Sequence, residues 1–542
     1  MRSLIRSAVL SLSFLALASA SQAQIGWVLR EQKINETAGG FPAALDRGDA
    51  FGQSLALLGD LNGDGVQDLA VGAIGDDDGG VARGAVWILF LNRDGTVSST
   101  TKISQTSGGF GGILEAEQFG FRLAAIGDLD RDGLPELAVT SSVTRRIRVL
   151  FLNRDGTVRT HTEIFYSDPV FGGATKFSDF EYGGLGAVGD LDGDGTPDLA
   201  WGAPYDDTGV EDAGAVWIVH LNPDGTAKSA RKIANGHGGF TGSLLEDDYF
   251  GLAIRSLGDV NGDGHIDLGV LDYEVRETLG RLWILFLDAD ARVVGQRVVT
   301  GIDFRMRWQQ EGHLGYTLES LGDLDGDGIA ELAVHSLGFN GRGGVAIGFL
   351  ARDGSLRKRV AIGNASGGLP IDTHRGEFGW SLAWLGDLDG DGSGELAVGD
   401  YIDEDSGRGA GSVSVLSLDP DAVRNGSGVN PLILRQYSEP ALGQTWSVKL
   451  DCSGRGGGLA YVAGFDRPLA GVLLRAGELL VDVFSGEQLF RLVAPHAGSP
   501  VVLSGLVPNQ VALLNLVVHV QGLCSGQSGE RLSNALDVRI GR

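Results

Sequence analysis

The 542-residue sequence predicts an all-β protein: a β-propeller of six four-stranded blades, or seven if one unit has diverged, followed by a C-terminal β-sandwich-like domain. Three observations predict this fold. A nine-residue acidic loop returns six times, 62 to 69 residues apart, which indicates a repeat architecture. Short apolar runs bounded by turn signals surround each loop, and four such strands per unit are typical of propeller blades. The N-terminal segment supplies the one element that the last repeat lacks.

The acidic loops share oxygen-bearing side chains at positions 1, 3, 5 and 9 and a glycine at position 6. Calcium takes six to eight oxygen ligands, and a short loop can wrap them around the ion. We therefore predict up to six structural Ca²⁺ ions, one in each loop. The loops are DLNGDGVQD (60–68), DLDRDGLPE (128–136), DLDGDGTPD (190–198), DVNGDGHID (259–267), DLDGDGIAE (323–331) and DLDGDGSGE (387–395).

The predicted ligands are the side chains of positions 1, 3, 5 and 9 and the backbone carbonyl of position 7. Both flanks of each loop read as strands, unlike the helices of an EF-hand. The position-6 glycine, such as Gly195, is expected where a Cβ would clash. A metal-free acidic turn with Asx hydrogen bonds is the alternative. The ligand positions are Asp60, Asn62, Asp64, Val66, Asp68; Asp128, Asp130, Asp132, Leu134, Glu136; Asp190, Asp192, Asp194, Thr196, Asp198; Asp259, Asn261, Asp263, His265, Asp267; Asp323, Asp325, Asp327, Ile329, Glu331; and Asp387, Asp389, Asp391, Ser393, Glu395.

Each repeat opens with an aromatic-glycine pair, as in Phe51-Gly52, or with a variant of it. One strand leads into the acidic loop and a second strand leaves it. A third, near-continuous apolar run such as AVWILFL (85–91) reads as buried. A turn such as NRDGT (92–96) then precedes a fourth element, TKISQTSGGF (101–110) in the first repeat. The repeats start near residues 51, 119, 182, 250, 314 and 378.

The chain ends predict a closed ring. The segment QKINETAGGF (32–41) resembles the fourth element but precedes the first complete repeat, whereas the sixth repeat has no such element after its third strand. We therefore expect residues 27–41 to supply the outer strand of the last blade, which leaves no open sheet edge. A linear solenoid is the alternative, and its terminal repeats would cap the stack instead.

The ends of the chain predict export and a second domain. Residues 1–23 read as a signal peptide with Arg2 and Arg6 ahead of a short apolar run. The propeller is expected over 26–424, a linker over 425–431 and the β-sandwich domain over 432–542. We expect a secreted, cell-surface or periplasmic protein with no membrane span in the mature chain.

Two further features narrow the chemistry. Export permits a disulfide between Cys452 and Cys524, and two separate thiols are the alternative. The formal net charge of −27 argues against a nucleic-acid partner, because nucleic-acid binders carry a basic patch. The acidic loops account for much of that charge.

The aromatic-glycine pairs, the acidic loops and the sequence Trp201-Gly202-Ala203-Pro204 together make the chain resemble the FG-GAP repeat family, the propeller of integrin α-subunits and of many bacterial exported proteins. The resemblance covers roughly residues 26–425. It implies a propeller, usually of seven blades, that serves calcium-dependent adhesion or ligand binding. The third repeat alone carries the full GAP sequence, and Leu314-Gly315 departs from the aromatic-glycine pair.

Three functions fit these patterns. The first is an adhesion or ligand-binding module for an unknown extracellular protein or glycan. The second is a carbohydrate-binding propeller, for which Trp308 and Trp380 are candidates, since Trp87, Trp217 and Trp283 fall in predicted core strands. The third, an exported hydrolase or lyase, is disfavoured because the nine histidines are scattered and no catalytic motif stands out. The tripeptide Arg47-Gly48-Asp49 is interpreted as chance loop composition.

Overall fold

The computed structural model describes residues 26–419 except 174–175, 274–278, 305–313, 326, 340–341, 364–366, 368, 370–376, 391–392, 406 and 408, and describes strands only between 422 and 539. The chain divides into two compact units. One is Val28–Leu418, and the other is Met1–Trp27 with Asp419–Arg542. The predicted signal peptide, the linker, Cys452 and Trp308 lie outside the described residues.

The first unit is built from short antiparallel strands and two 3₁₀ turns, η1 (Pro169–Phe171) and η2 (Phe177–Phe180). Its strands are β1 (Trp27–Ile34), β2 (Phe51–Gly59), β3 (Asp68–Ala73), β4 (Ala85–Leu91), β5 (Val97–Ile103), β6 (Phe119–Gly127), β7 (Glu136–Ser141), β8 (Arg146–Leu152), β9 (Val158–Phe165), β10 (Leu185–Gly189), β11 (Asp198–Ala203), β12 (Ala215–Leu221), β13 (Ala227–Ile233), β14 (Ala253–Gly258), β15 (Asp267–Asp272), β16 (Arg281–Leu287), β17 (Val293–Thr300), β18 (Leu314–Ser320), β19 (Leu332–Phe339), β20 (Arg342–Leu350), β21 (Leu356–Gly363), β22 (Ser381–Gly386), β23 (Gly394–Asp400) and β24 (Ser412–Asp419).

These strands form a six-bladed propeller. Five sheets contain four consecutive strands each, from β2–β5 to β18–β21, and the sixth has the order β1-β24-β23-β22. The N-terminal strand therefore completes the last blade as its outer strand, which confirms the predicted closure. Each innermost strand contacts the innermost strands of both neighbours, and β2 contacts β22. The ring is closed with six blades, so the alternative of seven is wrong.

The aromatic-glycine pair joins each blade to the one before it. The Phe51, Phe119 and Phe250 amides donate to backbone carbonyls that precede the third strand of the preceding blade, at 2.9–3.0 Å. The following glycine adopts a positive φ, +93° at Gly120, which L residues with a side chain rarely adopt. A Cβ on Gly72, in the preceding blade, would lie 2.2 Å from the Gly120 carbonyl oxygen. Gly120 and Gly72 both lack a side chain because the backbones of two neighbouring blades meet at this point.

The core of the propeller lies between neighbouring blades. The predicted core residues Trp87, Trp217 and Trp283 are at most 7% exposed. One buried cluster joins the side chains of β3 and β4 to those of β23 and β24, across the junction where the ring closes. Closure thus buries apolar surface of the first and last blades together, which stabilises the ring through the hydrophobic effect.

A repeated ion pair fastens the outer strands to the loop after the second strand. Lys102 Nζ lies 2.8 Å from Asp76, and Lys232 Nζ lies 2.5 Å from Asp206, both within one blade. In the last blade the lysine comes from the N-terminal strand, and Lys33 Nζ lies 2.6 Å from Asp403. These aspartates are almost fully buried, so each lysine compensates a charge that water cannot reach.

A buried acid precedes the aromatic-glycine pair of several blades. In the first blade it is Asp49, 5% exposed, which accepts a hydrogen bond from the Asp46 amide at 2.8 Å. Asp49 belongs to the Arg47-Gly48-Asp49 tripeptide, and burial makes its carboxylate unsuited to receptor recognition. Burial raises the pKa of Asp49 to about 6. In the second blade Glu117 occupies the same place but pairs with Arg148, whose charge keeps the pKa of Glu117 low despite its burial.

The second unit is also all-β. Its strands are β25 (Ala422–Arg424), β26 (Leu434–Gln436), β27 (Thr445–Leu450), β28 (Gly458–Phe465), β29 (Pro468–Leu474), β30 (Gly477–Val481), β31 (Gln488–His496), β32 (Val501–Leu506), β33 (Val517–Gly526) and β34 (Gly529–Arg539). They form sheets of order β25-β34-β33-β28-β31, β26-β27-β32 and β29-β30. The all-β prediction is confirmed here, and a two-layer sandwich stays a prediction. None of the helices in the described part of the chain is long and apolar enough to cross a membrane.

We expect Lys33→Met to weaken ring closure more than Lys102→Met does. Both changes leave a buried aspartate without its cation, which costs about 1–3 kcal/mol. Strand β5 is joined to its blade through the β4–β5 turn, whereas β1 reaches the last blade only through non-covalent contacts. Limited proteolysis followed by mass spectrometry should therefore detect faster cleavage within residues 27–41 in Lys33→Met. Equal cleavage there in both variants would contradict the role of Lys33 in closure.

We expect Asp49→Asn to remove part of the pH dependence of stability. Because the folded state binds the Asp49 proton more tightly than the unfolded chain, the free energy of unfolding falls as pH rises from about 4 to about 6. The variant should be more stable than the native protein above pH 7, by about 1–3 kcal/mol, and equally stable below pH 4. Urea unfolding across this range measures it. Glu117→Gln is the control: it should lower stability at neutral pH, because Arg148 loses its closest carboxylate.

Candidate functional site

The six acidic loops lie at one end of the propeller because each joins the first strand of a blade to the second. In the first blade, β2 ends at Gly59 and β3 begins at Asp68, the ninth loop residue. The other end of these strands carries the aromatic-glycine pair, since Phe51 pairs with Ala73 at the end of β3. Every blade repeats this chain direction, so all six loops share one face of the ring.

Within each loop the first carboxylate organises the turn. Asp60 Oδ1 accepts hydrogen bonds from the Gly63 and Asp64 amides at 2.7 and 2.9 Å, and its Oδ2 accepts one from Gly65 at 2.8 Å. Loops two to five repeat the bond from the position-6 amide at 2.8–2.9 Å. The position-7 amides of these five loops donate to the position-5 carboxylate at 2.8–2.9 Å. The loops thus gather their carboxylates through Asx-type turns.

The glycine at position 6 has a different cause from the one expected. It adopts a positive φ, +85° at Gly65 and Gly195. A Cβ on Gly65, Gly133 or Gly264 would meet no heavy atom within 4 Å. The expected clash is therefore wrong at these positions, and the left-handed backbone explains the glycine. At Gly195 a Cβ would meet only the end of the Arg131 side chain, at 2.9 Å.

The ninth residue of every loop is a buried carboxylate. Asp68, Glu136, Asp198, Asp267, Glu331 and Glu395 are at most 1% exposed. Each accepts a hydrogen bond from the amide of loop position 2, at 2.6–3.0 Å. The three aspartates among them also accept one from the end of the third strand, at 3.1–3.3 Å. This residue therefore ties the loop to two strands of its blade.

Burial makes these carboxylates poor anions without a cation. Burial, with a smaller contribution from the neighbouring loop carboxylates, raises the pKa of Asp68 and Asp267 to about 6 and that of Glu136 and Glu331 to about 8. The Oε1 atoms of Glu136 and Glu331 are buried and accept no hydrogen bond from the residues that the structure describes. A hard cation would satisfy such an oxygen, so the donor set fits calcium.

Three of the predicted ligand side chains lie close together in each of four loops. Carboxylate oxygens lie within 4.8 Å of one another in the groups Asp128, Asp130, Glu136; Asp190, Asp192, Asp194; Asp323, Asp325, Glu331; and Asp387, Asp389, Glu395. In the first and fourth loops an asparagine takes position 3, and its amide donates to the position-5 carboxylate at 2.8–2.9 Å. Asp391 lies outside the described residues. No position-7 carbonyl is assigned to an ion, so that part stays a prediction.

A basic side chain accompanies each loop that has Asp at position 3. Lys228 lies 2.7 Å from Asp192 and 2.5 Å from Asp194, and Arg159, Arg357 and Arg30 contact the corresponding carboxylates of loops two, five and six. The loops with Asn at position 3 have no ion pair to a loop carboxylate among the described residues. In loops two, three, five and six a basic side chain of the outer strand therefore offsets part of the repulsion between the loop carboxylates, and loop two also contains Arg131.

Sequence reasoning missed one polar residue beside the third loop. His220 stands in the apolar run AVWIVHL, is 7% exposed, and its Nδ1 lies 3.0 Å from Asp198 Oδ2. This hydrogen bond raises the pKa of His220. His220, Asp192 and Asp198 form a second potential ligand group. A histidine inside a buried strand was the signal that could have identified it.

The face opposite the acidic loops carries an arc of aromatic side chains. Each member is half-buried, and each ring lies 4.8–6.5 Å from the next. Three members lie within two residues of the end of a second strand, and three stand beside the aromatic-glycine pair of the next blade. Trp380, one of the two tryptophans expected to be less buried, belongs to it. The aromatic arc consists of Tyr205, Tyr249, Tyr273, Tyr316, Trp380 and Tyr401.

Comparison with known proteins agrees with this geometry. The FG-GAP repeat family matches residues 51–89 and 182–219. Integrin alpha-5 of Xenopus laevis is 30% identical over 241 residues, which are 42% of this chain and 20% of that protein. Integrin alpha-6 of Homo sapiens is 27% identical over 255 residues, 46% of this chain and 20% of that protein. The chain thus spans about a fifth of the length of these relatives.

Shorter matches point the same way. Integrin alpha pat-2 of Caenorhabditis briggsae is 37% identical over 119 residues, 22% of this chain and 9% of that protein. Among solved structures, AofleA from Arthrobotrys oligospora aligns with 69% of this chain and with 83% of its own chain. The TM-score is 0.38 and the sequence identity is 9%. Three observations agree: the six blades, the recurring acidic loops and the integrin α relatives. The chain carries FG-GAP repeats and fits the FG-GAP β-propeller family.

Proposed function

We propose that this chain is an exported adhesion or ligand-binding module whose propeller is held rigid by calcium. The observation that carries the proposal is the separation of the two faces. One face gathers six carboxylate-rich loops, and the opposite face carries the aromatic arc. An ion in each loop would fix the blades, so that the aromatic arc is presented on a rigid surface. The integrin α relatives support a binding role of this kind.

Calcium would act on stability through the buried position-9 carboxylates. Without a cation, four of the loops keep three carboxylates with oxygens within 4.8 Å of one another, and every loop keeps its position-9 carboxylate out of water. Residues Asp60, Asn62, Asp64 and Asp68 would hold the ion in the first loop, and their equivalents would do so in the others. Because the ion relieves repulsion only in the folded loop, its binding energy adds to folding energy.

Glycan recognition is the second candidate, favoured by the aromatic arc. Half-exposed aromatic rings present flat apolar faces with polar tips, and such residues are enriched at binding interfaces. Trp380 and the arc tyrosines would form this surface. The loops do not support an enzymatic role, because their carboxylates would bind the proposed metal ions. The relatives that match the chain are integrin subunits.

We expect a chelator to lower the melting temperature and to expose the acidic loops to protease, and calcium to restore both. Elemental analysis of the dialysed protein should find up to six calcium ions per chain. Lys228→Met sharpens the test: it should destabilise the chelated protein, where Lys228 is the cation that contacts Asp192 and Asp194, and should have little effect once calcium is bound. A melting curve unaffected by chelator, with no bound calcium, would rule out the structural role.

We expect the double variant Tyr249→Ala/Tyr273→Ala to lose ligand binding while it remains folded. Immobilised native protein, probed in calcium with a glycan array and with the extracellular protein fraction of its source, identifies the ligand class. Phe165→Ala is the matched control, since Phe165 is 38% exposed on an outer strand away from the aromatic arc. Binding that survives loss of both tyrosines but not of Phe165 would place the ligand elsewhere. A parallel screen on polysaccharides and esters should give no turnover.

A further inference from the structure

The axis of the propeller contains a small cavity lined by an arginine that has no counter-ion among the described residues. All six innermost strands line this cavity, whose volume is about 40 Å³, room for about two or three water molecules. Arg122 of β6 and Arg255 of β14 both line it. Arg255 pairs with Glu319, its Nη2 lying 2.9 Å from Oε2. Arg122 makes no ion pair or hydrogen bond with the residues that the structure describes, and its guanidinium packs over the Phe121 ring, 4.6 Å from the centroid.

Arg122 occupies a place that other blades use for a structural hydroxyl. The third residue after the aromatic one is Ser54 in the first blade and Ser381 in the sixth, and each donates to a backbone carbonyl of the next blade at 2.6 Å. Thr317 does the same in the fifth blade. Arg122 at this position does not make the hydrogen bond to the next blade, and its longer side chain lines the cavity instead. Among the described residues, this pair of blades therefore lacks a hydrogen bond that the hydroxyl-bearing blades have.

Arg122 has no anionic partner among the described residues, and its side chain is half-buried. The surrounding protein lowers the pKa of Arg122 to about 10 through desolvation, so it remains protonated at neutral pH. Tyr316, from the blade on the far side of the ring, lines the same cavity. Tyr316 stacks on Tyr273 with ring centroids 5.7 Å apart, so the cavity adjoins the aromatic arc. A carboxylate that entered the cavity would therefore meet an unpaired guanidinium, with which it can form charge-assisted hydrogen bonds.

We propose that the axial cavity receives a single carboxylate, the acidic side chain of a protein partner, which pairs with Arg122 while the aromatic arc packs against the rest of the partner. The cavity has room for about two or three water molecules, which matches a carboxylate group better than a sugar ring. Its walls include Leu123, Leu185 and Leu318, which suit the alkyl stem of an acidic side chain. This inference rests on the proposed binding function and names the chemistry of its ligand.

The binding test uses calcium-loaded protein and three probes at about 150 mM salt: the capped tripeptide Gly-Glu-Gly, its Gly-Gln-Gly counterpart and glucuronate. We expect calorimetry or ligand-observed NMR to show at least tenfold tighter binding of the Glu peptide than of the Gln peptide. Arg122→Gln should abolish the difference. The double variant Arg255→Gln/Glu319→Gln removes a neutralised pair from the same cavity and should preserve it.

A stability measurement tests the same proposal without a ligand. Since Arg122 is an uncompensated cation, Arg122→Met should raise the melting temperature of the unliganded protein by about 2 °C or more. Arg255→Met should lower it, because Glu319 loses its partner. A lower melting temperature for Arg122→Met would make Arg122 a structural residue and overturn the proposal.

The remaining outcomes are also decisive. Equal affinity for the Glu and Gln peptides, or a preference that survives in Arg122→Gln, would overturn the carboxylate site. Binding of glucuronate without the Glu peptide would overturn the protein partner in favour of an acidic glycan. If Arg122→Gln still retains the ligand found with the native protein while Tyr249→Ala/Tyr273→Ala does not, the proposed function stands and this inference fails.

Discussion

The carboxylate that ends each acidic loop is the point on which the blade and the candidate metal site both depend. It lies at the start of the second strand, it is out of water, and it holds the loop through the position-2 amide. In three blades it also holds the end of the third strand. An apolar residue there would remove these bonds, whereas a carboxylate there brings a charge that the interior cannot stabilise alone. The residue that the fold needs at this position is thus one that a bound cation would stabilise.

The loops reduce the repulsion between their carboxylates in two ways. Where position 3 is aspartate, the outer strand brings Lys228 or an arginine to it. Where position 3 is asparagine, its amide donates a hydrogen bond to the position-5 carboxylate. Both arrangements hold the loop carboxylates together before an ion binds.

The blades and their closure could be predicted from the sequence because both depend on recurring patterns. These patterns are the apolar runs, the turns and an N-terminal copy of the fourth element. The sequence could not predict contacts that depend on how neighbouring blades approach. The lysine that precedes the last isoleucine in 32–34, 101–103 and 231–233 was visible as a repeat, yet its ion pairs with Asp403, Asp76 and Asp206 required the fold. The role of Gly195 was misjudged because a clash and a positive φ select the same residue. Arg122 and His220 appeared only as irregularities in otherwise regular strands.

Those irregularities matter because the recurring residues of a repeat protein build its scaffold, whereas the residues that contact a ligand are usually ones that do not recur. The acidic loops recur in every blade and therefore define the ring. The aromatic arc spans only part of the opposite face, and the unpaired guanidinium occurs in one blade only among the described innermost strands. A ring with six near-equivalent positions around its axis becomes asymmetric at Arg122, which faces Tyr316 across the cavity. That asymmetry gives a partner a single orientation on the face, which a ring of six equal blades could not do.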